Sequence, residues 1–413
     1  MARVAHVAGI DVGSSTVRVV VAQLSPETPL PNVVGMGTAP MQGMQKGVVT
    51  DVDEAVHAVS TALNAAERMS GIPIERAYVS INGSHISSQN SRGVIAIGRA
   101  DGEISPEDIA RVINAAQAIS LPSNREILHV LPQNFIVDGQ EHINDPIGMT
   151  GVRLEVETHV IEGSAPFIKN LTKVVNQAGV HIEDFVFAPL AAALSVLEKR
   201  QKELGVVLVD LGAGTTSLVV YEEGTLLHTA VLPLGSSHIT NDIAIGLRTS
   251  IEIAEAIKLQ HGTALPDQVK SNEAVVVEGD GDNEHQSISR AEVANIISAR
   301  LEEIFSFVDR ELKRLGRSGL LPAGVVFTGA GAHLPGVVEL AKKRLRLPAR
   351  IGRPKDFPGI VTEVHDSAFA VALGLLLWGI DQERKETRRS TMSMPEMGQT
   401  VDKVKTWIKG LWP

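Results

Sequence analysis

The 413-residue chain contains no cysteine. That excludes disulfides, iron–sulfur clusters and thiolate zinc sites together. It also lacks a basic excess: 38 Lys and Arg against 48 Asp and Glu give a net charge of -10, so nucleic acid is not the expected ligand. Thirteen histidines are present, yet none falls in an HExxH or comparable metal-binding spacing. No long hydrophobic run occurs either. The longest, Ala368 to Ile380, is too short to span a bilayer and reads as a buried core helix. The opening residues lack the charged-then-apolar layout of a signal peptide, and Asp11 interrupts their apolar run, so a cytosolic location is expected.

What is present is an internal duplication. Val7 to Val21 (VAGIDVGSSTVRVVV) and Val206 to Val220 (VVLVDLGAGTTSLVV) superpose Asp11 on Asp210, Gly13 on Gly212 and Thr16 on Thr215. Each reads as an apolar strand that delivers an Asp, turns through Gly and small residues, and returns as a second apolar strand. Between and after the hairpins, strand-rich and helical segments alternate, which means α/β layers. A Pro/Gly-rich passage runs from Pro26 to Gly47, and a helix is predicted from about Asp53 to Ser70, stopped by Gly71-Ile72-Pro73. The block from Ser84 to Ile161 has its own βαβ-like rhythm and reads as an inserted subdomain. The second hairpin is expected to extend through a third strand, Thr225 to Val231. Helices follow at about Ser236 to Leu247, Ile251 to Gln260 and Ser289 to Leu315, the last opened by Ser289-Arg290-Ala291-Glu292. Between them, Val269 to Gln286 reads as an exposed acidic hairpin.

Three glycine turns follow apolar strands: Gly13-Ser14-Ser15, Gly212-Ala213-Gly214 and Gly329-Ala330-Gly331. Glycine lets backbone N–H groups approach an anion closely. One such turn is weak evidence, but two in matching hairpins, each just after an Asp, point to phosphate. The paired Asp suit a magnesium ion that keeps its waters and bridges nucleotide phosphates. Two turn-capping Asp residues are the alternative.

These hairpins, with the connecting helix PLAAALSVL (Pro189 to Leu197), the turn VVFTGAGAHLPG and the second connecting helix DSAFAVALGLLLWG, resemble the actin/hexokinase/heat-shock-chaperone superfamily. More narrowly, KGVVTDVDEAVHAVSTALNAAERMSG, YVSINGSHISSQNSRGVI, ILHVLPQNFIVDG and DPIGMTGVRLEVETHVI resemble the FtsA family of bacterial cell-division proteins, nearly end to end. The resemblance implies a duplicated actin-like (ribonuclease H-like) α/β fold, two lobes around a cleft for ATP and Mg2+. On that plan residues 1–83, 162–203 and 363–380 form the first lobe, with the insert at 84–161. Residues 204–235 and 322–362 form the second lobe core, and 236–321 a small distal subdomain. Asp11 and Asp210 would hold the metal through water. Gly13, Ser14, Ser15, Thr16, Gly212, Ala213, Gly214, Thr215 and Thr216 would cradle phosphate, with Arg18 beside them. Gly329, Ala330 and Gly331 would flank the adenosine, and Glu255 and Lys258, three apart on one helix face, would reach ribose and base. No catalytic residue is expected. Ala188 stands where a related filament protein, MreB, has a Glu, and alanine can neither polarise nor position water. Tight ATP binding with slow or negligible hydrolysis is therefore the expectation.

From Asp381 to Gly398 the composition turns charged, with Ser, Thr and Met, and reads as a linker. Beyond it Val401, Val404, Ile408 and Leu411 form one helical stripe, with Trp407 and Trp412 beside it and Lys403, Lys405 and Lys409 on its flanks. Two of the three Trp lie in the last seven residues, where they suit a membrane interface. Residues 399–413 thus read as an in-plane amphipathic helix. The family implies self-association into a filament on the cytoplasmic face of the membrane at the septum, anchoring of FtsZ through its C-terminal tail, and recruitment of later division proteins. Arg300, on the capped helix, is the candidate FtsZ contact. A pilus-assembly scaffold of the PilM type and a small-metabolite kinase of the same superfamily are the rival readings.

Overall fold

The computed structural model describes residues 6–24, 30–270, 272–278, 285–359 and 363–391. Two five-stranded sheets are built on one plan. In the first, His6–Val12, Thr16–Gln23 and Asn32–Pro40 form an antiparallel meander, and Arg76–Ile81 then His181–Phe187 extend it in parallel on the other side of His6–Val12. In the second, Val206–Leu211, Thr216–Glu222 and Thr225–Leu232 repeat the meander, and Val325–Thr328 then Ala349–Ile351 repeat the parallel pair. All six residues of Val206–Leu211 are buried, as are all but the first of His6–Val12. Elements cover both faces of each central strand, which is why these strands read as unbroken apolar runs rather than alternating ones.

The sequence reading missed the third strand of the first meander, having placed it in the Pro/Gly-rich passage. Its glycines have a packing cause. Added Cβ atoms would lie 2.8 Å from the Ala66 carbonyl oxygen at Gly35, and 1.9 Å from that of Ala62 at Gly37. Both carbonyls belong to the helix Val52–Ser70, which lies directly on the strand. Asp51 opens that helix by accepting from the amides of Asp53 and Glu54, and left-handed Gly71 closes it.

The helices Ala188–Val196 and Ala370–Thr391 pack on one another, the first touching strands of both sheets and the second lying on the first sheet. At their crossing a Cβ on Gly374 would fall 1.8 Å from the Ala191 carbonyl oxygen, so only glycine allows this approach. The second helix was expected to stop at Ile380. It runs on to Thr391, into the segment read as linker. Glu, Arg, Lys and Gln are good helix formers, and they carry the helix on where the apolar stripe ends. The rest of that linker and the amphipathic segment 399–413 lie outside the described residues. Among the described residues no helix is long and apolar enough to cross a membrane.

The insert is a four-stranded antiparallel sheet in the order Ser87–Ala96, Arg153–Ser164, Arg125–Val137, Gln140–Ile143, and the helix Pro106–Gln117 packs on it. Its last short strand was not foreseen. Nor was its second attachment, to the outer strand of the second lobe. The Ser88 hydroxyl donates to the Thr229 carbonyl at 2.9 Å, and Gln133 Nε2 to those of Leu226 (2.7 Å) and Leu227 (3.1 Å). The buried His159 ring lies between Asn90 Oδ1 (2.7 Å) and Thr229 Oγ1 (2.9 Å). The insert therefore bridges both lobes.

Gly374→Ala tests the crossing. Helix propensity alone favours alanine by about 1 kcal/mol. The backbone overlap outweighs it, and a net loss of about 1–3 kcal/mol is expected in chemical denaturation. A stabilised variant would show that the two helices separate freely.

Candidate functional site

Asp11 and Asp210 stand near the carboxyl ends of the two central strands, where open α/β sheets place ligands. Each is almost fully buried. Asp11 Oδ1 accepts from the Ser80 hydroxyl at 2.8 Å, and the same Ser80 oxygen accepts from the Val12 amide at 3.0 Å. Ser80 sits on the neighbouring parallel strand, so the first sheet fixes the carboxylate. Asp210 lies opposite Thr328 on the equivalent strand of the second sheet. Burial pushes the Asp210 carboxyl up to about 7, the charge of Asp11 adds to the rise, and Arg18 opposes it. Burial also raises Asp11, against the Arg18 guanidinium and the Ser80 hydrogen bond. The two acids thus face one another across the cleft, and Arg18 is the cation common to both.

The two hairpin turns match in detail. Gly13 N–H donates to the Thr16 carbonyl at 3.2 Å, and Gly212 N–H to that of Thr215 at 3.0 Å. In each turn the following amides, Ser14 and Ser15 or Ala213 and Gly214, donate to no described residue. Free amides after glycine, one set per lobe, form two anion cradles that face one cavity. Asp11, Gly13, Ser14, Ser15, Thr16, Arg18, Asp210, Gly212, Ala213, Gly214, Thr215, Gly329 and Ala330 all line it. Gly329, at φ 80°, turns so tightly over Asp210 that a Cβ would lie 2.5 Å from Asp210 Oδ1. Gly331 is buried just behind the cavity, packed on Leu211. The chemistry of this donor set fits a magnesium–phosphate group. Free amides suit the phosphates, while two buried carboxylates facing one another suit a hydrated divalent cation.

Ala188 lines the cavity floor with Ala368 and Val371, and it opens the helix Ala188–Val196. The sequence reading missed Ser80, Asn82, Gly47 and Ser367. Asn82 and Gly47 line the cavity, and the Asn82 side-chain amide pairs with Ser217 Oγ of the other lobe (Nδ2 donor at 2.7 Å). The available signal was the polar Ser80 and Asn82 interrupting AYVSING where an apolar strand ends.

Other candidates lie away from the cavity. Thr216 is buried and its hydroxyl donates to the Leu234 carbonyl at 2.8 Å. Lys258 Nζ donates to Thr240 Oγ1 (2.8 Å) and Glu255 Oε2 (2.6 Å), and Thr240 also bonds Glu255. This polar knot joins two helices of the distal subdomain, one of which, Ser236–Leu247, begins against the second turn through Ser236 N–H and the Gly212 carbonyl (2.8 Å). Arg300 is forked onto Asp242, with Nη2 to Oδ1 at 2.8 Å, and also bonds Glu303. An acidic ligand at Arg300 has to compete with both carboxylates.

Asp210→Asn separates binding from stability. A folded-state carboxyl raised to about 7 contributes stability at low pH that is lost between the unfolded value near 3.9 and about 7. The ligand-free variant should therefore melt several degrees above the parent at pH 8. The gap should close as pH falls toward 4. Magnesium-dependent stabilisation by nucleotide should disappear in the variant. Equal melting of both proteins at pH 8 would mean that the folded state does not raise the Asp210 carboxyl.

Comparison with known proteins completes the description. The model of "Cell division protein FtsA" matches residues 207–374, and that of the SHS2 domain inserted in FtsA matches residues 83–162. FtsA of Pseudomonas aeruginosa is 37% identical over 98% of this chain and 97% of its own length. FtsA of Bacillus subtilis is 41% identical over 94% and 86%. FtsA of Escherichia coli is 33% identical over 98% and 97%. Among solved structures, the PilM–PilN type IV pilus biogenesis complex is similar at TM-score 0.67, with 16% identity over 91% of this chain and 98% of that one. MreB5 of Spiroplasma citri bound to ADP is similar at TM-score 0.53, with 14% identity over 94% and 99%. The fold is actin-like, and identity above 30% along almost the whole length means that this chain belongs to the FtsA family of cell-division proteins.

Proposed function

We propose that the chain binds Mg-ATP between its lobes, self-associates into filaments beneath the cytoplasmic membrane at the septum, and anchors the FtsZ ring there. The observation that carries the nucleotide part is the pair of free-amide cradles, each beside a buried Asp, facing one cavity. The turns at 13–15 and 212–215 hold the phosphates, Asp11 and Asp210 hold the hydrated magnesium, and Gly329 to Gly331 flank the adenosine. Magnesium supplies the positive charge that two facing carboxylates and a triphosphate require. Glu255 and Lys258 reach ribose and base only if their knot with Thr240 opens. Ala188 gives the floor no group that can activate water, so turnover is slow.

Membrane attachment rests on the sequence of residues 399–413. Each Lys near an anionic surface contributes about 1 kcal/mol, and each buried large apolar side chain at most about 1.5–3 kcal/mol. Folding so short a helix in water is marginal and offsets part of this. One anchor is therefore reversible, whereas many joined in a filament hold by avidity. The FtsZ tail is assigned to the distal subdomain, with Arg300 as a contact once freed from Asp242, and later division proteins are assigned to other surfaces.

A lipid-monolayer assay with ATP, with and without FtsZ, tests these parts together. The full chain should form lipid-bound filaments with ATP and recruit FtsZ. Deleting Val401 to Pro413 should reduce liposome pelleting at least tenfold while leaving nucleotide affinity unchanged. Undiminished pelleting would remove the anchor, and phosphoryl transfer to a metabolite in a coupled assay would replace the scaffold with a kinase.

A further inference from the structure

The short hairpin Met44–Gln45 and Val48–Val49 was absent from the sequence reading, and its tip lies where the two cradles meet. Gln45 pairs with Val48, so Lys46 and Gly47 are the two turn residues, at φ 50° and 75°. A turn with both residues left-handed favours Asn-Gly, Asp-Gly or Gly-Gly. Lysine at the first position is a strained choice that asparagine would avoid. Strain at a ligand site raises the question of what the side chain does there.

The tip is clamped from both lobes. Gly47 N–H donates to Ser14 Oγ at 2.9 Å, and Ser84 N–H to the Lys46 carbonyl at 3.1 Å. From the other lobe, a Cβ on Gly214 would lie 2.9 Å from Lys46 N, 3.0 Å from Lys46 Cα and 2.9 Å from Ser14 Oγ. Gly214 thus touches the Lys46 backbone directly, and Gly47 lines the cavity. On the second lobe Lys46 faces His238, which accepts from Gly235 N–H at 3.1 Å, while Gly235 packs on Gly212 and Ala213. Lys46 makes no ion pair with any described residue, whereas Arg18 faces both acids. The Lys46 side chain does not itself line the cavity, but its ammonium, on a flexible four-carbon stem, extends from a backbone that touches both anion cradles.

We propose that Lys46 is the group that distinguishes a triphosphate from a diphosphate: its ammonium pairs with the outermost phosphate and so joins the first lobe to a ligand cradled by the second. The inference rests on the nucleotide reading above and adds to it the part of the ligand that is sensed. An added terminal phosphate bridges Lys46 and the Gly214 turn, whereas a diphosphate leaves the ammonium in water.

Lys46→Asn is the informative variant, because asparagine suits the turn and removes only the charge. Calorimetry on the full chain with magnesium should give affinity for a non-hydrolysable ATP analogue lower by about 10- to 100-fold, the size of one charge-assisted contact. Affinity for ADP should stay within about threefold, and the ligand-free melting temperature should not fall. Lys46→Arg should recover most of the preference for triphosphate. Equal losses for both nucleotides, or no loss for either, would overturn the role of Lys46 while leaving the site intact. If the parent protein bound neither nucleotide, the nucleotide reading itself would fall and this inference with it.

Discussion

Two carboxylates brought face to face in a buried cleft set the terms for the rest of the molecule. Approach of the lobes removes both from water, and Arg18 cannot neutralise both. The closed arrangement is balanced by a proton at Asp210 or, in the proposed reading, by a magnesium ion. A ligand shifts such an equilibrium only by its differential affinity for the two states. A cation that is favourable between two acids and indifferent to one of them has that property. In the proposed reading, ligand binding and the approach of the two acids are one equilibrium rather than two.

Some of the contacts that hold this arrangement have no give. Gly37 on Ala62 and Gly374 on Ala191 are backbone contacts with no side chain to yield. Such contacts leave the first lobe little room to deform internally. Polar ties cross the gap instead: Asn82 with Ser217, and the insert with strand Thr225–Leu232. Burial and the neighbouring His228 lower the His159 pKa to about 3, so this tie keeps its neutral ring throughout the physiological range. The insert is covalently part of the first lobe and hydrogen-bonded to the second. It therefore cannot stay in place on both when the cleft changes width.

Much of this was legible in the chain, for identifiable reasons. The hairpins stood out because a buried central strand tolerates few residue types, so both copies keep apolar runs broken only by Asp and Gly. The cradles followed, since glycine after a strand end has a backbone meaning. The third strand of the first lobe was hidden by the glycines that let a helix lie on it. Ser80 and Asn82 were hidden because single polar residues at a strand's end look like the approach to any turn. Contacts between distant segments, such as Gln133 with the Leu226 carbonyl, leave no periodicity to read. The linker reading at Asp381 failed because loss of an apolar stripe is not loss of helix.

The small residues of the floor connect these themes. The run PLAAALSVL reads as a plain buried helix, yet its spacing does two things at once. Ala191 is small enough for the Gly374 backbone to rest on it, and one turn earlier Ala188 presents only a methyl group to the cavity. With the two helices in contact, the floor has no freedom to draw back and admit a larger side chain at its first turn. In the proposed reading, a floor with only methyl groups at this point leaves a bound triphosphate intact. On that reading the nucleotide is then a structural wedge, holding a conformation for as long as it is bound, rather than a fuel.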